Sequence, residues 1–286
     1  MLSFIFLVSL ILFSKTSAYA CTRGFLQKTT DAYLLSQRTG NITAVLYHIR
    51  PGATYTENGK AISIKNSTLT QPITYDYAFS AYDTVHCSTF TEIIAASDPH
   101  SYVIHTRMEF INYITNSYPL AVLIQSIVTD AGDWLFNATG TLDLVRPESW
   151  APIPAEKQDT RATVQAVGDS YFDRFGNVSV TVPWGPPCYR VEGGLAAKGT
   201  LHNDTGVCQM VWPSTIHIPY RNYVVDEELG VASIFVGFPG LDRTQGDAPM
   251  PDSHLFRVEG GKIKYLHTAS ACVTAGCGLN GTFGRR

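Results

Sequence analysis

Thr160-Arg161-Ala162-Thr163-Val164-Gln165-Ala166-Val167-Gly168-Asp169-Ser170-Tyr171-Phe172 decides the fold, because its pattern has a partner far upstream. That partner is Thr22-Arg23-Gly24-Phe25-Leu26-Gln27-Lys28-Thr29-Thr30-Asp31-Ala32-Tyr33-Leu34. Threonine, arginine, glutamine, aspartate and tyrosine recur at identical spacing in the two stretches. The apolar-face positions are Phe25, Leu26, Thr29 and Tyr33 in one copy and Val164, Val167, Tyr171 and Phe175 in the other. Such spacing gathers them on one side of a helix with about 3.6 residues per turn. Thr22 is placed to cap the first helix, and Asp159 or Thr160 the second, because a side-chain oxygen there satisfies orphan amides of the first turn.

The echo continues downstream. Tyr55-Thr56-Glu57-Asn58-Gly59 faces Arg190-Val191-Glu192-Gly193-Gly194, and His105-Thr106-Arg107-Met108-Glu109 faces Leu255-Phe256-Arg257-Val258-Glu259. An opening helix followed by alternating strands, used twice, accounts for both echoes. Strands are expected at 75–82, 89–95, 102–110 and 120–129 in the first unit, and at 178–182, 221–225, 231–238, 254–259 and 262–269 in the second. Pro183-Trp184-Gly185-Pro186-Pro187 reads as a rigid bend, and Glu259-Gly260-Gly261-Lys262 as a hairpin turn. Pro147, Pro152 and Pro154 mark an extended connector, giving units at residues 21–150 and 151–286. The expected fold class is α+β: two tandem helix-plus-curved-antiparallel-sheet units, each sheet closing round its helix as an NTF2-like cone with a pocket at the wide end.

Upstream, Leu2–Phe13 is apolar apart from two serines, and Ala18-Tyr19-Ala20 supplies the small residues of a cleavage site. Residues 1–20 therefore read as a secretory signal peptide, with a mature chain beginning at Cys21 in the secretory pathway or outside the cell. No segment is long and apolar enough to promise stable membrane insertion. Sequons at Asn41, Asn66, Asn137, Asn177, Asn203 and Asn280 make N-linked glycans expected partners. The cysteines suit an oxidising compartment better than a metal site, for which they are too dispersed. Pairing Cys21 with Cys87, Cys188 with Cys208 and Cys272 with Cys277 keeps every bridge within one unit. A net charge of -3 with scattered basic residues argues against nucleic acid as a partner.

The usual catalytic signatures are missing: no HExxH, no GxSxG, no phosphate-binding glycine loop and no dinucleotide fingerprint opens a helix. What remains is polar groups on strands and a wealth of rings, with 15 tyrosines, 14 phenylalanines and four tryptophans. His105 and Arg107 share one strand face; His254 and Phe256 share a face opposite to Leu255 and Arg257. His254, Arg257, Tyr265 and His267 on the last hairpin are the candidate catalytic donors. Tyr33, Tyr82, His105, Arg107, Trp134, Tyr171 and Trp212 are candidate contacts for an apolar or aromatic small molecule. Each has an ordinary structural alternative as a core ring, an ion pair or a loop anchor.

A family resemblance rests on Cys21-Thr22-Arg23 with Asp31-Ala32-Tyr33, Tyr55-Thr56-Glu57-Asn58, Gly132-Asp133-Trp134-Leu135-Phe136-Asn137 and Trp150-Ala151-Pro152-Ile153-Pro154. To these are added Asp159-Thr160-Arg161, Pro187-Cys188 with Glu192-Gly193-Gly194, and Asp252-Ser253-His254 with Phe256-Arg257-Val258-Glu259-Gly260-Gly261. Through these words the whole mature chain resembles secreted fungal two-part proteins carrying a domain of unknown function numbered 8021; Cys277 departs from their pattern. The resemblance implies a link to hetero-Diels-Alderases of tropolone sesquiterpenoid biosynthesis, which join a tropolone ortho-quinone methide to humulene without a cofactor. The other reading is a non-catalytic secreted carrier of apolar small molecules. On either reading, the natural protein should begin at Cys21 with three disulfides, so its intact mass should shift on reduction and again on deglycosylation. Six free thiols in native material would overturn the redox assignment.

Overall fold

The computed structural model describes residues 21–112, 118–196, 208, 212, 214–239, 249–274 and 277. Residues 1–20, read above as a signal peptide, and the sequons at Asn203 and Asn280 lie outside the described residues. The first half opens with helix α1 (Arg23–Thr39) and the short α2 (Thr43–Leu46). Strands β1 (Ile49–Glu57), β2 (Lys60–Ala61), β3 (Tyr77–Asp83), β4 (Ser88–Ala95), β5 (Tyr102–Ile111) and β6 (Leu120–Thr129) follow. Helix α3 (Ala138–Val145) occupies the connector. The second half has α4 (Arg161–Arg174), β7 (Trp184–Glu192), β8 (Leu195–Ala196), β9 (Arg221–Asp226), β10 (Val231–Phe238), β11 (Met250–Glu259) and β12 (Lys262–Ser270).

Both long helices begin as their sequences dictate. Thr22 accepts a hydrogen bond from the Phe25 amide, and Thr160 one from the Thr163 amide, each cap contributing about 1 kcal/mol. The two sheets follow one course: β2-β1-β6-β5-β4-β3 in the first and β8-β7-β12-β11-β10-β9 in the second. All three disulfides form as paired above, Cys21–Cys87, Cys188–Cys208 and Cys272–Cys277. Gly260 and Gly261 both take positive φ, 59° and 69°, which matches the twist a two-residue hairpin needs between Glu259 and Lys262.

Side-chain alternation then builds four layers, helix, sheet, sheet and helix. On the outer face of the first sheet, Leu26 and Tyr33 of α1 pack with Ile93, Ile104 and Ile124. On the outer face of the second, Val164 and Phe172 of α4 pack with Ile234, Phe256 and Leu266. Between the sheets, Phe90, Ile94, Val103 and Ile127 meet Val231, Phe235, Leu255 and Ala269.

This layering overturns the NTF2-like cone. Neither sheet closes or curls strongly; β2 and β3 end one, β8 and β9 the other, unpaired to each other. The physical reason is that each sheet is covered twice, by its helix and by the opposite sheet, so β4 is buried along its whole length. A sheet whose inner face must lie along another sheet cannot also curl its outer face round a helix. The sheets are not purely antiparallel either, since β1 runs parallel to β6 and β7 parallel to β12. The strand expected at 178–182 is absent, and β7 begins at Trp184, taking in the Pro186-Pro187 segment read as a bend. Both prolines are exposed, so the missing amides cost the ladder little there. Helix α3 was not foreseen; Asn137 caps it.

The halves are tied by reciprocal ion pairs. Arg161, the first residue of α4, grips Asp83 at the end of β3 through Nη1 at 2.9 Å and Nη2 at 2.5 Å. Arg23, the first residue of α1, grips Asp226 at the end of β9 at 2.5 Å. Each carboxylate also accepts an amide across the junction: Val225 N–H to Asp83 and Tyr82 N–H to Asp226. Asp83 is wholly buried, and removing one partner of a buried pair typically costs about 3 kcal/mol or more. Arg161→Met should therefore lower unfolding free energy by about 3 kcal/mol in urea titration. Arg38→Met, which loses only an exposed stacking contact with Tyr75, should cost less than about 1 kcal/mol. Equal losses would sink the staple.

Candidate functional site

The layer between the sheets holds a chain of titratable groups. Glu92 projects from β4 at the parity of Phe90 and Ile94, a carboxylate on a core face, and is fully buried. His267 of β12 places Nδ1 3.0 and 3.1 Å from its two oxygens. The other ring nitrogen lies 2.7 Å from Oε2 of Glu148, in the connector. Two carboxylates flanking one imidazole call for a donor at both nitrogens, which only the protonated ring supplies. His105 of β5 completes the chain, with Nε2 3.1 Å from Glu92 and Nδ1 3.1 Å from the Ser253 hydroxyl of β11. Trp150 donates its indole N–H to Glu148 and lies edge-on to the His267 ring.

The charges hold each other in place. Burial pushes His267 toward the neutral form, but Glu148 and Glu92 outweigh it and raise its pKa from 6.5 to about 10. Burial pushes the Glu92 carboxyl up, yet the His267 charge and hydrogen bonds from both histidines bring it down from 4.5 to about 2.

The other residues singled out from sequence fall into separate layers. Arg257 and Tyr265 share the inter-sheet layer with His267, but both are engaged. Arg257 donates to Glu259 Oε1 and to the carbonyls of Leu229 and Ala151; the Tyr265 hydroxyl accepts the Ser149 amide. Arg107 likewise pairs with Glu109 and donates to the Tyr223 carbonyl. His254 points the opposite way, into the α4 layer, boxed by Tyr171 and Phe172 with ring centroids 5.1 and 4.9 Å away. Its Nδ1 lies 2.6 Å from Asp252 Oδ1, though out of line for a hydrogen bond. Trp212 lies edge-on to Tyr171 and Phe175 in that layer. Tyr33 is sealed under α1, its hydroxyl on Thr106 and its pKa raised by burial. Tyr82 carries the Arg23 guanidinium over its ring, and the Trp134 carbonyl presses on Gly193, where a Cβ would come within 2.4 Å. The four proposed donors thus do not converge on one cavity.

Open space lies elsewhere. Of four surface cavities among the described residues, Tyr82 is the one residue from that set to line any. The largest of the four, about 450 Å³, opens between the sheets at the end where β9 begins and β10 finishes. Ile127, Phe235, Val236, Pro249, Pro251 and Val273 give it apolar walls. Gln125, Asn222 and Lys60 add an amide, a second amide and an ammonium, and both halves contribute. Sequence reasoning passed over these positions because the cavity forms from strand ends far apart in the chain, without a local motif. Glu92 was missed too, although a lone carboxylate at core parity was a readable signal. Among the described residues no cluster of three or more histidine, cysteine, aspartate or glutamate side chains is arranged to hold a metal ion.

Residues 157–270 match a family described as a domain of unknown function, DUF8021, so the chain carries that domain from the residues before α4 to the end of β12. No curated protein and no solved structure matches the chain.

The buried chain fixes a pH signature. His267 has a folded pKa above its unfolded one, so its stabilisation is complete below about 6.5 and is lost as pH rises through about 10. Glu92 has a depressed one, so its stabilisation is present above about 4.5 and is lost as pH falls through about 2. Thermal unfolding against pH should show a plateau between these limits, and His267→Gln should flatten the fall between pH 6.5 and 10. An unchanged alkaline limb in that variant would refute the assignment.

Proposed function

We propose that this chain is a binding protein for apolar small molecules, taking its guest in the cavity between the two sheets. The observation that carries the reading is the cavity itself. At about 450 Å³ it falls within the range of small-molecule sites, and it joins apolar walls to a few convergent polar groups, the composition such sites share. The guest that fits has a hydrocarbon or aromatic body and one polar edge for Gln125, Asn222 and Lys60. With no free cysteine among the described residues, an oxidising compartment suits the chain, in line with the apolar leader at Leu2–Phe13 and an extracellular or secretory-pathway carrier.

The resemblance to hetero-Diels-Alderases leads to the same cavity. Joining two apolar partners needs an enclosure that aligns them and donors that polarise one of them. The last-hairpin donors are committed to structural bonds or closed off by rings, which favours binding over turnover.

The neutral fluorophore N-phenyl-1-naphthylamine should bind purified protein with a Kd of about 1 to 10 µM. Asn222→Trp, which fills the cavity from an exposed position, should weaken binding about tenfold, while Tyr47→Ala at the distant α1 groove should leave it unchanged. No binding, or sensitivity at Tyr47 instead, would reject the site. Incubation with a hydroxymethyl tropolone and humulene decides between carrier and pericyclase: a single stereoisomer formed faster than in buffer would make it an enzyme.

A further inference from the structure

A second groove, about 360 Å³, lies off the C-terminal end of α4. Phe172, Val180, Ile216 and Ile218 give it an apolar floor, and Asp173, His217 and Arg221 stand along it. Arg221 is held flat by ion pairs to Asp169 at 2.7 Å and Asp173 at 2.5 Å. The groove is also lined by Asn177, the acceptor position of the sequon Asn177-Val178-Ser179. Asn41, Asn66 and Asn137 are equally exposed sequon asparagines, yet none of them lines any of the four cavities.

The local backbone presents Asn177 for modification. Its Oδ1 accepts the Ser179 amide at 3.0 Å, and its carbonyl accepts the Val180 amide at 3.1 Å. The turn thereby fixes the side chain through oxygen, and the amide nitrogen, the atom that would carry a sugar, makes no hydrogen bond among the described residues. Val178 beside it is 63% exposed, an apolar side chain left bare at the groove's rim.

We propose that this groove is the seat of an N-linked glycan attached to Asn177, so that the sugar acts as a built-in ligand of its own protein. An N-acetylglucosamine ring has an apolar C–H face and a rim of hydroxyl and acetamido groups. The face matches Val180, Ile216 and Val178; the rim matches the carboxylate, imidazole and guanidinium of Asp173, His217 and Arg221. The glycan covers this surface and holds the segment 214–219 against α4, to which the Ile216 amide is already tied through the Phe175 carbonyl. The proposal requires passage through the secretory pathway and is independent of any guest in the inter-sheet cavity.

The test uses the full chain made in a eukaryotic secretory host. Glycopeptide mapping should find Asn177 occupied. Hydrogen exchange of the amides at 216–221 should then quicken about tenfold in Ser179→Ala, which abolishes the sequon but keeps the Asn177 turn. Asn66→Gln should not change exchange there. Should the variant fail to fold, treating the folded wild-type protein with peptide-N-glycosidase, which removes the whole glycan and leaves an aspartate at position 177, gives the comparison. An unoccupied Asn177, or an occupied one whose loss leaves exchange at 216–221 unchanged, overturns the proposal.

Discussion

Arg161 on Asp83 and Arg23 on Asp226 cross between the halves in opposite directions, each joining a helix start to the other half's last residue of an outer strand. The position of each arginine is set by its neighbour, since Thr22 and Thr160 fix the first turn by capping it. From that first turn each arginine reaches over the outer strand of its own sheet, Arg161 touching the Val225 carbonyl and Arg23 the Tyr82 ring, to the carboxylate of the other. The carboxylates then do double duty, since each also accepts a strand-edge amide from the opposite half. One amide on each edge is satisfied in this way, and the sheets are held face to face.

That arrangement explains why the layer between the sheets can contain charge. Burying Glu92, His267 and Glu148 costs several kcal/mol per ion unless each finds partners. Here the groups come from β4, β12 and the connector, so their pairing depends on both sheets and on the segment Ser149–Ala151 lying in one register. Arg257 reinforces the same point by binding the Ala151 carbonyl. A histidine so surrounded serves the architecture. Its raised pKa reflects the two fixed carboxylates on either side of it.

Much of the fold was legible because its signals are local. The Thr-Arg openings, the helix face through Tyr33 and Tyr171, the run Leu120–Thr129 and the Glu259-Gly260-Gly261-Lys262 turn each depend on a short window. The division into halves pairs Cys21 with Cys87 but leaves three ways to join the other four cysteines, of which the chain forms Cys188–Cys208 with Cys272–Cys277. What failed was whatever depends on distant partners. Periodicity says that a strand has two faces, but not that a sheet rather than a helix covers the second, so the pattern alone does not distinguish an open two-sheet stack from a pair of cones. Parity correctly separated His254 from Arg257, yet it could not show that Glu92 and Glu148 would arrive to occupy His267. Pro186 and Pro187 misled for a related reason: a proline pair stops an inner strand, but here their stretch is exposed and tolerates it.

The position of the cavity follows from where the staples are. β9 has Asp226 at one end, locked to Arg23, and Asn222 near the other, lining the cavity. β10 runs antiparallel to it, so Val231 lies at the locked end and Phe235, Val236 and Gly237 at the open one. Two sheets clamped by ion pairs at one end and by the Glu92–His267–Glu148 chain farther in have no comparable charge pair among the lining residues of the open end. There the sheets are kept apart by bulk, the rings and prolines at Phe235, Pro249 and Pro251, and by the Cys272–Cys277 bridge beside them. Rigid apolar walls that cannot collapse into each other leave a void, and a guest in that void touches both halves at once.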